Sequence, residues 1–139
     1  MKNGSLHLLI VDDEEAHVEA IRRAFSMGGI GVTIETARTL EEYRACIAAR
    51  TPDLALIDLN LPDGRAIEVL TAPAADAPFP ILVMTAFGTQ SIVVEVMKAG
   101  ALDYVVKSPA AFTTLPHTVE RACREWKLLQ GHKLSLIHI

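Results

Sequence analysis

Carboxylates, a hydroxyl and an ammonium group each come directly after a short apolar run of this chain. The runs and the residues that follow them are Leu6 to Val11 with Asp12 and Asp13, Leu54 to Ile57 with Asp58, Ile81 to Met84 with Thr85, and Tyr104 to Val106 with Lys107. A carboxylate can act as a nucleophile and take up a phosphoryl group as an aspartyl phosphate. The transferred group spreads its charge over three oxygens, which a metal ion, a fixed cation and a hydroxyl can balance. This set of residue types therefore predicts a phosphoryl-accepting acid site.

The three carboxylates favour a bound hard cation. At ~4 Å, two carboxylates repel each other by about 4 kcal/mol even at an effective dielectric constant near 20. Oxygen ligands from a few carboxylates, together with waters and phosphate oxygens, suit Mg²⁺. A simpler alternative is that Asp12 to Glu15 only begins a helix, because the helix dipole favours acids there. Asp58 does not fit that alternative, since Leu59 and not a helix start follows it.

Lys107 and Thr85 have ordinary alternatives as well. A lysine at a strand end can simply reach solvent, and a threonine there can cap the next turn. What favours a function is the combination, because the four strand endings together supply every group that phosphoryl transfer needs.

Parallel strands and helices must position these groups. The apolar runs and Val32 to Thr36 alternate with segments of helical spacing, which predicts a doubly wound α/β fold with five strands. In such sheets, ligands bind beyond the carboxyl ends of the strands. Five helices are expected on the two faces of the sheet. The first runs from near Glu14 to Gly28 and Gly29, the second begins with a Thr39–Glu42 capping box, and the third lies near Arg65 to Leu70. The fourth carries Ile92 to Met97 and ends at Gly100, and the fifth runs from near Leu115 to Leu129. Ala72 to Pro80 is predicted to be a surface loop.

Composition narrows the class of protein. The 139 residues suit one domain, and 50% hydrophobic content suits a substantial core. No stretch approaches the roughly 18 apolar residues of a membrane span, and no secretory signal is visible, so a cytoplasmic protein without a membrane partner is expected. A net charge of −4 gives no support to direct nucleic-acid binding. Cys46 and Cys123 are predicted to be small buried residues, and the five histidines lack zinc-ligand spacing.

The chain resembles the receiver domains of two-component response regulators. The matching positions are Asp12-Asp13, the segment Asp58-Leu59-Asn60-Leu61-Pro62-Asp63-Gly64, Thr85-Ala86, and Tyr104 three residues before Lys107. The resemblance covers roughly Leu6 to Leu128 and implies the flavodoxin-like strand order 2-1-3-4-5. It implies a receiver domain over residues 5–130 and a tail over residues 131–139, which is either an expression remnant or a truncated connector.

For the acid residues, the resemblance implies specific roles. Asp58 would accept a phosphoryl group from a phosphohistidine on a histidine kinase or a histidine phosphotransfer protein. Asp13, Asp58 and the backbone carbonyl of Asn60 would bind Mg²⁺ directly, and Asp12 would act mostly through water. Such a domain is a phosphoacceptor rather than an enzyme, although self-phosphorylation from small donors and autodephosphorylation are expected of it.

The resemblance also implies a two-state switch. Lys107 would pair with Asp58 and then with a phosphoryl oxygen. Thr85 would move toward the phosphoryl group, and Tyr104 would turn into the space that Thr85 leaves, which alters the surface of the fourth helix, fifth strand and fifth helix. Tyr104 has an alternative interpretation as an ordinary half-buried strand aromatic. A homodimer is a further expected partner, and an exposed Trp126 would suit it or a connector, unless Trp126 simply covers the sheet.

Departures from the family pattern leave alternatives open. Members often have proline directly after the lysine, with a cis peptide bond between them, whereas this chain has Lys107-Ser108-Pro109. Ala66 replaces a frequent glycine, which predicts no positive φ there. Phe87, two residues beyond Thr85, is predicted to hinder the attacking water and lengthen the phosphoryl lifetime.

One alternative function is an unphosphorylated pseudo-receiver that acts as a constitutive interaction module. A metal-dependent phosphatase is disfavoured because no DxD motif follows the first strand.

Overall fold

Five parallel strands form the central sheet. A computed structural model describes the backbone of residues 5–137 and the side chains of residues 5–131. Its strands are β1 (Leu6–Val11), β2 (Val32–Ala37), β3 (Leu54–Asp58), β4 (Ile81–Thr85) and β5 (Asp103–Val106). They lie in the order β2-β1-β3-β4-β5, which confirms the order that the resemblance implies. A separate antiparallel pair of two residues each, Asn60–Leu61 with Gly64–Arg65, follows β3.

Helices cover both faces of the sheet, as the sequence predicts. They are α1 (Glu15–Gly28), α2 (Leu40–Ala49), α3 (Gln90–Ala99) and α4 (Pro109–Ile137). Alternate residues of β1 point to opposite faces, so Leu8 and Ile10 belong to the core under α1 and α4. Leu9 and Val11 belong to the core under α2 and α3. Both faces are apolar because every central strand is buried on each side.

Capping residues set the beginning of α2. The Thr39 hydroxyl accepts a hydrogen bond from the backbone N–H of Glu42 at 3.0 Å, which confirms the predicted N-terminal cap. Asp63, from the loop after β3, adds a second cap, because its carboxylate accepts the N–H groups of Leu40 at 2.8 Å and Glu41 at 3.1 Å. The loop that follows Asp58 is therefore anchored to α2.

The expected helix near Arg65 to Leu70 is only one short 3₁₀ turn, Ala66–Val69. Within residues 5–137 there are thus four α-helices and not five. The segment beyond Leu70 cannot extend the turn, because its three prolines lack the N–H group and restrict the residue before each of them. The predicted loop is not entirely on the surface either, because Phe79 is buried beside β4. Ala66 has no positive φ, as expected.

The last helix begins six residues earlier than its predicted start near Leu115. Proline is favoured in the first turn of a helix, and Pro109 rather than Pro116 holds that position. The Ser108 hydroxyl accepts the N–H of Ala111 at 3.0 Å and caps this end. The predicted end of this helix near Leu129 is also wrong, since the backbone stays helical to Ile137. The boundary between domain and tail at residues 130 and 131 stays a prediction.

Trp126 is half-buried on α4. It lines a cavity of about 220 Å³ at the amino-terminal end of the sheet, together with Leu6, Pro52 and Phe79. The indole therefore lies against the domain, at the opposite end from the acid residues.

Candidate functional site

The three predicted carboxylates meet at the carboxyl edge of the sheet. Asp12 and Asp13 follow β1, and Asp58 ends its neighbour β3. One carboxylate oxygen from each lies within 4.8 Å of the others. Asp12 is 2% exposed and Asp58 is 7% exposed, whereas Asp13 is more accessible. The crevice that the sequence predicts is therefore present.

Lys107 reaches this crevice from the other side. It follows β5, and its backbone N–H donates to the carbonyl of Thr85 at 2.8 Å. Its Nζ donates to Oδ2 of Asp58 at 3.1 Å and lies 3.9 Å from Oδ2 of Asp12. Every peptide bond in the described residues is trans, including the bond between Lys107 and Ser108. The lysine thus pairs with Asp58 without the cis Lys-Pro peptide bond that is frequent in the family.

Burial is the main influence on the ionisation of Asp58. Loss of solvent raises the pKa of this carboxyl above its ordinary value, the hydrogen bond from Lys107 opposes the rise, and the charge of Asp12 adds to it. The single ammonium group therefore compensates the buried carboxylates only in part. A hard divalent cation such as Mg²⁺ fits this all-oxygen donor set.

Thr85 ends β4 at the same edge and is 4% exposed. Its hydroxyl is engaged by its own loop, since it donates to the carbonyl of Phe87 at 3.0 Å and accepts from the N–H of Phe87 at 3.3 Å. Tyr104 is half-buried in β5 and packs against the core under α2 and α3. The structure thus brings Thr85 to the site, and the switch roles of Thr85 and Tyr104 stay predictions.

Asn60 contributes through its backbone. A hydrogen bond from this backbone to the carboxylate helps to hold down the pKa of Asp58, after the larger influences of burial and Lys107. The side chain of Asn60 is exposed. Its carbonyl as a metal ligand stays a prediction.

Sequence reasoning missed one member of the site, His17. Its Nδ1 lies 3.1 Å from Oδ2 of Asp12 and 3.5 Å from Nζ of Lys107, and its ring centroid is 5.6 Å from that of Phe112. A signal for it was available, because a histidine in the first turn of α1 stays close to the strand end that carries Asp12.

The two cysteines lie apart from the site. Both are free and partly buried. Burial raises the pKa of Cys123 to about 11, so its reactive thiolate is scarce at neutral pH. In the described part of the chain, no helix has both the length and the apolar character of a membrane span.

A five-stranded flavodoxin-like sheet with clustered acids, a threonine and a lysine at its carboxyl edge defines a class of signalling domain. The family described as the response regulator receiver domain matches residues 8–120. The chain belongs to this family of two-component signalling domains.

Several relatives are regulatory proteins that are longer than this chain. The methanogenesis regulatory protein FilR1 of Methanothrix harundinacea is 32% identical over 91% of this chain and 29% of its own length. The transcriptional regulatory protein ZraR of Salmonella typhimurium is 34% identical over 88% of this chain and 27% of its own length. The chain thus spans less than a third of each of these two relatives.

Solved structures show the same fold. A CheY-like receiver domain protein from Methanospirillum hungatei superposes with a TM-score of 0.71 at 27% identity, over 89% of this chain and 98% of that one. A two-component response regulator from Clostridium difficile gives a TM-score of 0.74 at 22% identity, over 86% and 97% of the two chains. The second likeness concerns the fold alone.

Proposed function

We propose that the chain is a phosphorylation-switched receiver whose acceptor is Asp58. The phosphoryl donor is a phosphohistidine on a partner histidine kinase or histidine phosphotransfer protein. The observation that carries the proposal is the pairing of Asp58 with Nζ of Lys107 at 3.1 Å, inside a cluster that also holds the carboxylates of Asp12 and Asp13.

In the proposed step, a carboxylate oxygen of Asp58 forms a bond to phosphorus. The P–N bond of the phosphohistidine breaks, its electron pair stays on the imidazole nitrogen, and solvent supplies the proton that this nitrogen gains. Lys107 loses its carboxylate charge partner as the mixed anhydride forms, so its ammonium group is free to pair with a phosphoryl oxygen. The buried position of Asp58 keeps water away from the anhydride and slows its hydrolysis.

The proposal includes a Mg²⁺ ion held by Asp13, Asp58 and the carbonyl of Asn60, with Asp12 acting mostly through water. When bound, the ion supplies positive charge that offsets the carboxylates and the phosphoryl oxygens. Both oxygens of Asp12 already have polar partners in the protein, namely the backbone N–H of Glu14 at 2.9 Å and Nδ1 of His17 at 3.1 Å. That arrangement supports the indirect role of Asp12.

The proposed output is a change on the surface formed by α3, β5 and the first part of α4. The Thr85 hydroxyl is bonded to the backbone of Phe87, so movement of this hydroxyl toward the phosphoryl group breaks those bonds. The adjacent Gly88 is packed so tightly that an added Cβ would lie 2.7 Å from Val106 and 3.6 Å from Tyr104. A shift of this loop therefore acts directly on β5, where the side chain of Val106 is 39% exposed to solvent.

The test is the intact mass of the protein after incubation with phosphoramidate, with and without Mg²⁺. The expected result is a single Mg²⁺-dependent phosphoryl adduct on the native chain and none on Asp58→Asn. Adduct that decays in buffer would also support the proposed autodephosphorylation.

A folded native chain that forms no adduct, beside a control receiver that does, would overturn the proposal. That result would favour the alternative of a constitutive interaction module that keeps the fold without the chemistry. An adduct that persists in Asp58→Asn would place the acceptor elsewhere.

A further inference from the structure

His17 stands between the acid cluster and a cavity of about 520 Å³. It projects from the first turn of α1, and its side chain is 26% exposed. Its Nδ1 faces two groups of the site, Oδ2 of Asp12 at 3.1 Å and Nζ of Lys107 at 3.5 Å. The ring is in contact with two charges that the proposed chemistry uses.

Both ring nitrogens of His17 face carboxylates, Nδ1 with Oδ2 of Asp12 at 3.1 Å and Nε2 with Oε1 of Glu14 at 3.4 Å, and the shorter contact favours the hydrogen on Nδ1. An ionised carboxylate can only accept hydrogen bonds, so the 3.1 Å contact is a hydrogen bond when Nδ1 carries the hydrogen. The other oxygen of Asp12 accepts the backbone N–H of Glu14 at 2.9 Å. In the tautomer with the hydrogen on Nδ1, each oxygen of this buried carboxylate has a donor that is not Lys107.

The same hydrogen limits where Lys107 can go. The ammonium group is a donor only, so it forms no hydrogen bond with a protonated Nδ1 at 3.5 Å, and the two positive ends repel each other. Oδ2 of Asp12, 3.9 Å from Nζ, is the oxygen that His17 already occupies. Asp58 Oδ2, at 3.1 Å, is left as the favourable acceptor for Lys107.

We propose that His17 is a positioning residue that occupies Asp12 and thereby keeps Lys107 on Asp58. The inference rests on the proposed phosphoacceptor function of Asp58. With His17 in place, the lysine is ready beside the carboxylate that reacts. Without His17, the ammonium group of Lys107 pairs with either Asp12 or Asp58.

Packing holds the ring in the required orientation. The rings of His17 and Phe112 are 5.6 Å apart at an interplanar angle of 52°, and Phe112 is itself 8% exposed in the core under α1 and α4. Because Phe112 lies in the early part of α4, the capped start of that helix at Ser108 contributes to the position of His17. Contacts between α1 and α4 therefore hold the ring of His17 in this orientation, unlike a surface side chain that rotates freely.

Three substitutions separate the donated hydrogen from the bulk of the ring. His17→Asn places an amide N–H near the former Nδ1, His17→Gln places one near the former Nε2, and His17→Leu has no donor. His117→Leu, on the exposed side of α4, is the matched control for loss of a histidine. Each variant is first compared with the native chain by thermal unfolding.

The first readout is the rate of adduct formation from phosphoramidate at saturating Mg²⁺. We expect His17→Leu and His17→Gln to be about five-fold slower, which corresponds to about 1 kcal/mol in the barrier. His17→Asn and His117→Leu should stay within about two-fold of the native rate, a barrier change under about half a kcal/mol. Rescue by Asn but not by Gln is a result that a merely structural role of the ring does not produce.

The second readout needs neither metal nor phosphoryl transfer. In crystal structures of the metal-free native chain and His17→Leu, we expect Nζ of Lys107 to shift from Asp58 toward Asp12 in the variant. An unchanged lysine in His17→Leu would overturn the inference, as would a native rate in that variant or equal slowing in the Leu and Asn variants. If the native chain forms no adduct, the proposed function fails, and the lysine position alone decides whether His17 positions it.

Discussion

Asp58 and Asp63 lie five residues apart in the same segment, yet the folded protein shifts the pKa values of their carboxyl groups in opposite directions. Asp58 is buried at the end of β3, and that burial raises its pKa. Asp63 is exposed, and the backbone N–H groups of Leu40 and Glu41 at the start of α2 hold its pKa below the ordinary value. Ionisation of Asp58 therefore opposes folding, whereas ionisation of Asp63 favours it.

The difference shows that this segment uses one carboxylate, Asp58, for the proposed reaction and another, Asp63, for stability. A carboxylate whose charge is incompletely compensated suits the binding of a cation and the attack on phosphorus. A carboxylate that caps a helix has both oxygens occupied and anchors the loop on which the first one depends. Replacement of each by its neutral amide should thus have different consequences.

The largest expected effect comes from Asp58→Asn. Removal of the nucleophile should abolish the phosphoryl adduct, and in metal-free buffer at neutral pH the loss of the buried charge should raise Tm by a few degrees. Intact mass and thermal unfolding measure the two outcomes on one preparation. A large fall in Tm would contradict the view that the charge of Asp58 opposes folding.

Lys107→Met should have the next largest effect. It removes the ammonium group that pairs with Asp58, so adduct formation from phosphoramidate should slow at least about ten-fold, or about 1.4 kcal/mol in the barrier. Lys98→Met, at an exposed position of α3, is the matched control and should react at the native rate. Equal rates in all three proteins would show that the 3.1 Å pair with Asp58 has no part in the reaction.

Asp63→Asn should sharpen the contrast with Asp58. The amide keeps one acceptor oxygen but loses the charge at the amino terminus of α2, so Tm should fall by a few degrees while the adduct still forms. Glu125→Gln, on the exposed side of α4, controls for the loss of a surface acid. Unchanged stability together with a lost adduct would reverse the roles that we assign to the two residues.

The pH dependence of this difference has a defined sign. Since the folded pKa of Asp63 is lowered, its stabilisation is fully present above the unfolded value of about 3.9 and is lost as pH falls through the lower folded value. The Tm difference between the native chain and Asp63→Asn should be constant near neutral pH and should shrink below about pH 4. A difference that grows in acid would contradict the capping role.

The smallest effect is expected from Phe87→Ala. Phe87 is 72% exposed beside Thr85, and we predict that its bulk hinders the water that hydrolyses the aspartyl phosphate. Loss of the adduct should be about two- to three-fold faster in the variant, under about 1 kcal/mol in the barrier. An unchanged decay rate, measured by intact mass over time, would remove this role.

The sequence allowed the strands and most of the site to be predicted because both depend on local pattern. Buried strands appear as short apolar runs, and the residue after each run must lie at the carboxyl edge of the sheet. That reasoning places Asp12, Asp58, Thr85 and Lys107 together, as the structure does.

The predictions that were wrong concern the ends of helices, where local sequence signals for and against a helix compete. The Ala66–Val69 turn has helical spacing, but the prolines after it prevent a longer helix. The start of α4 was placed too late because the apolar stripe begins near Leu115, whereas the helix begins at Pro109 behind the capping Ser108. His17 and the second cap by Asp63 were missed for another reason, since their contacts join different elements and leave no periodic pattern.

The central claim is that Asp58 is the acceptor, and site mapping tests it most directly. Borohydride reduces an aspartyl phosphate to homoserine, which tandem mass spectrometry of peptides can locate. After incubation with phosphoramidate and Mg²⁺, we predict homoserine at position 58 in the native chain and in Asp63→Asn. Homoserine at position 12, 13 or 63, or a stable phosphoryl group on a histidine, would contradict the account.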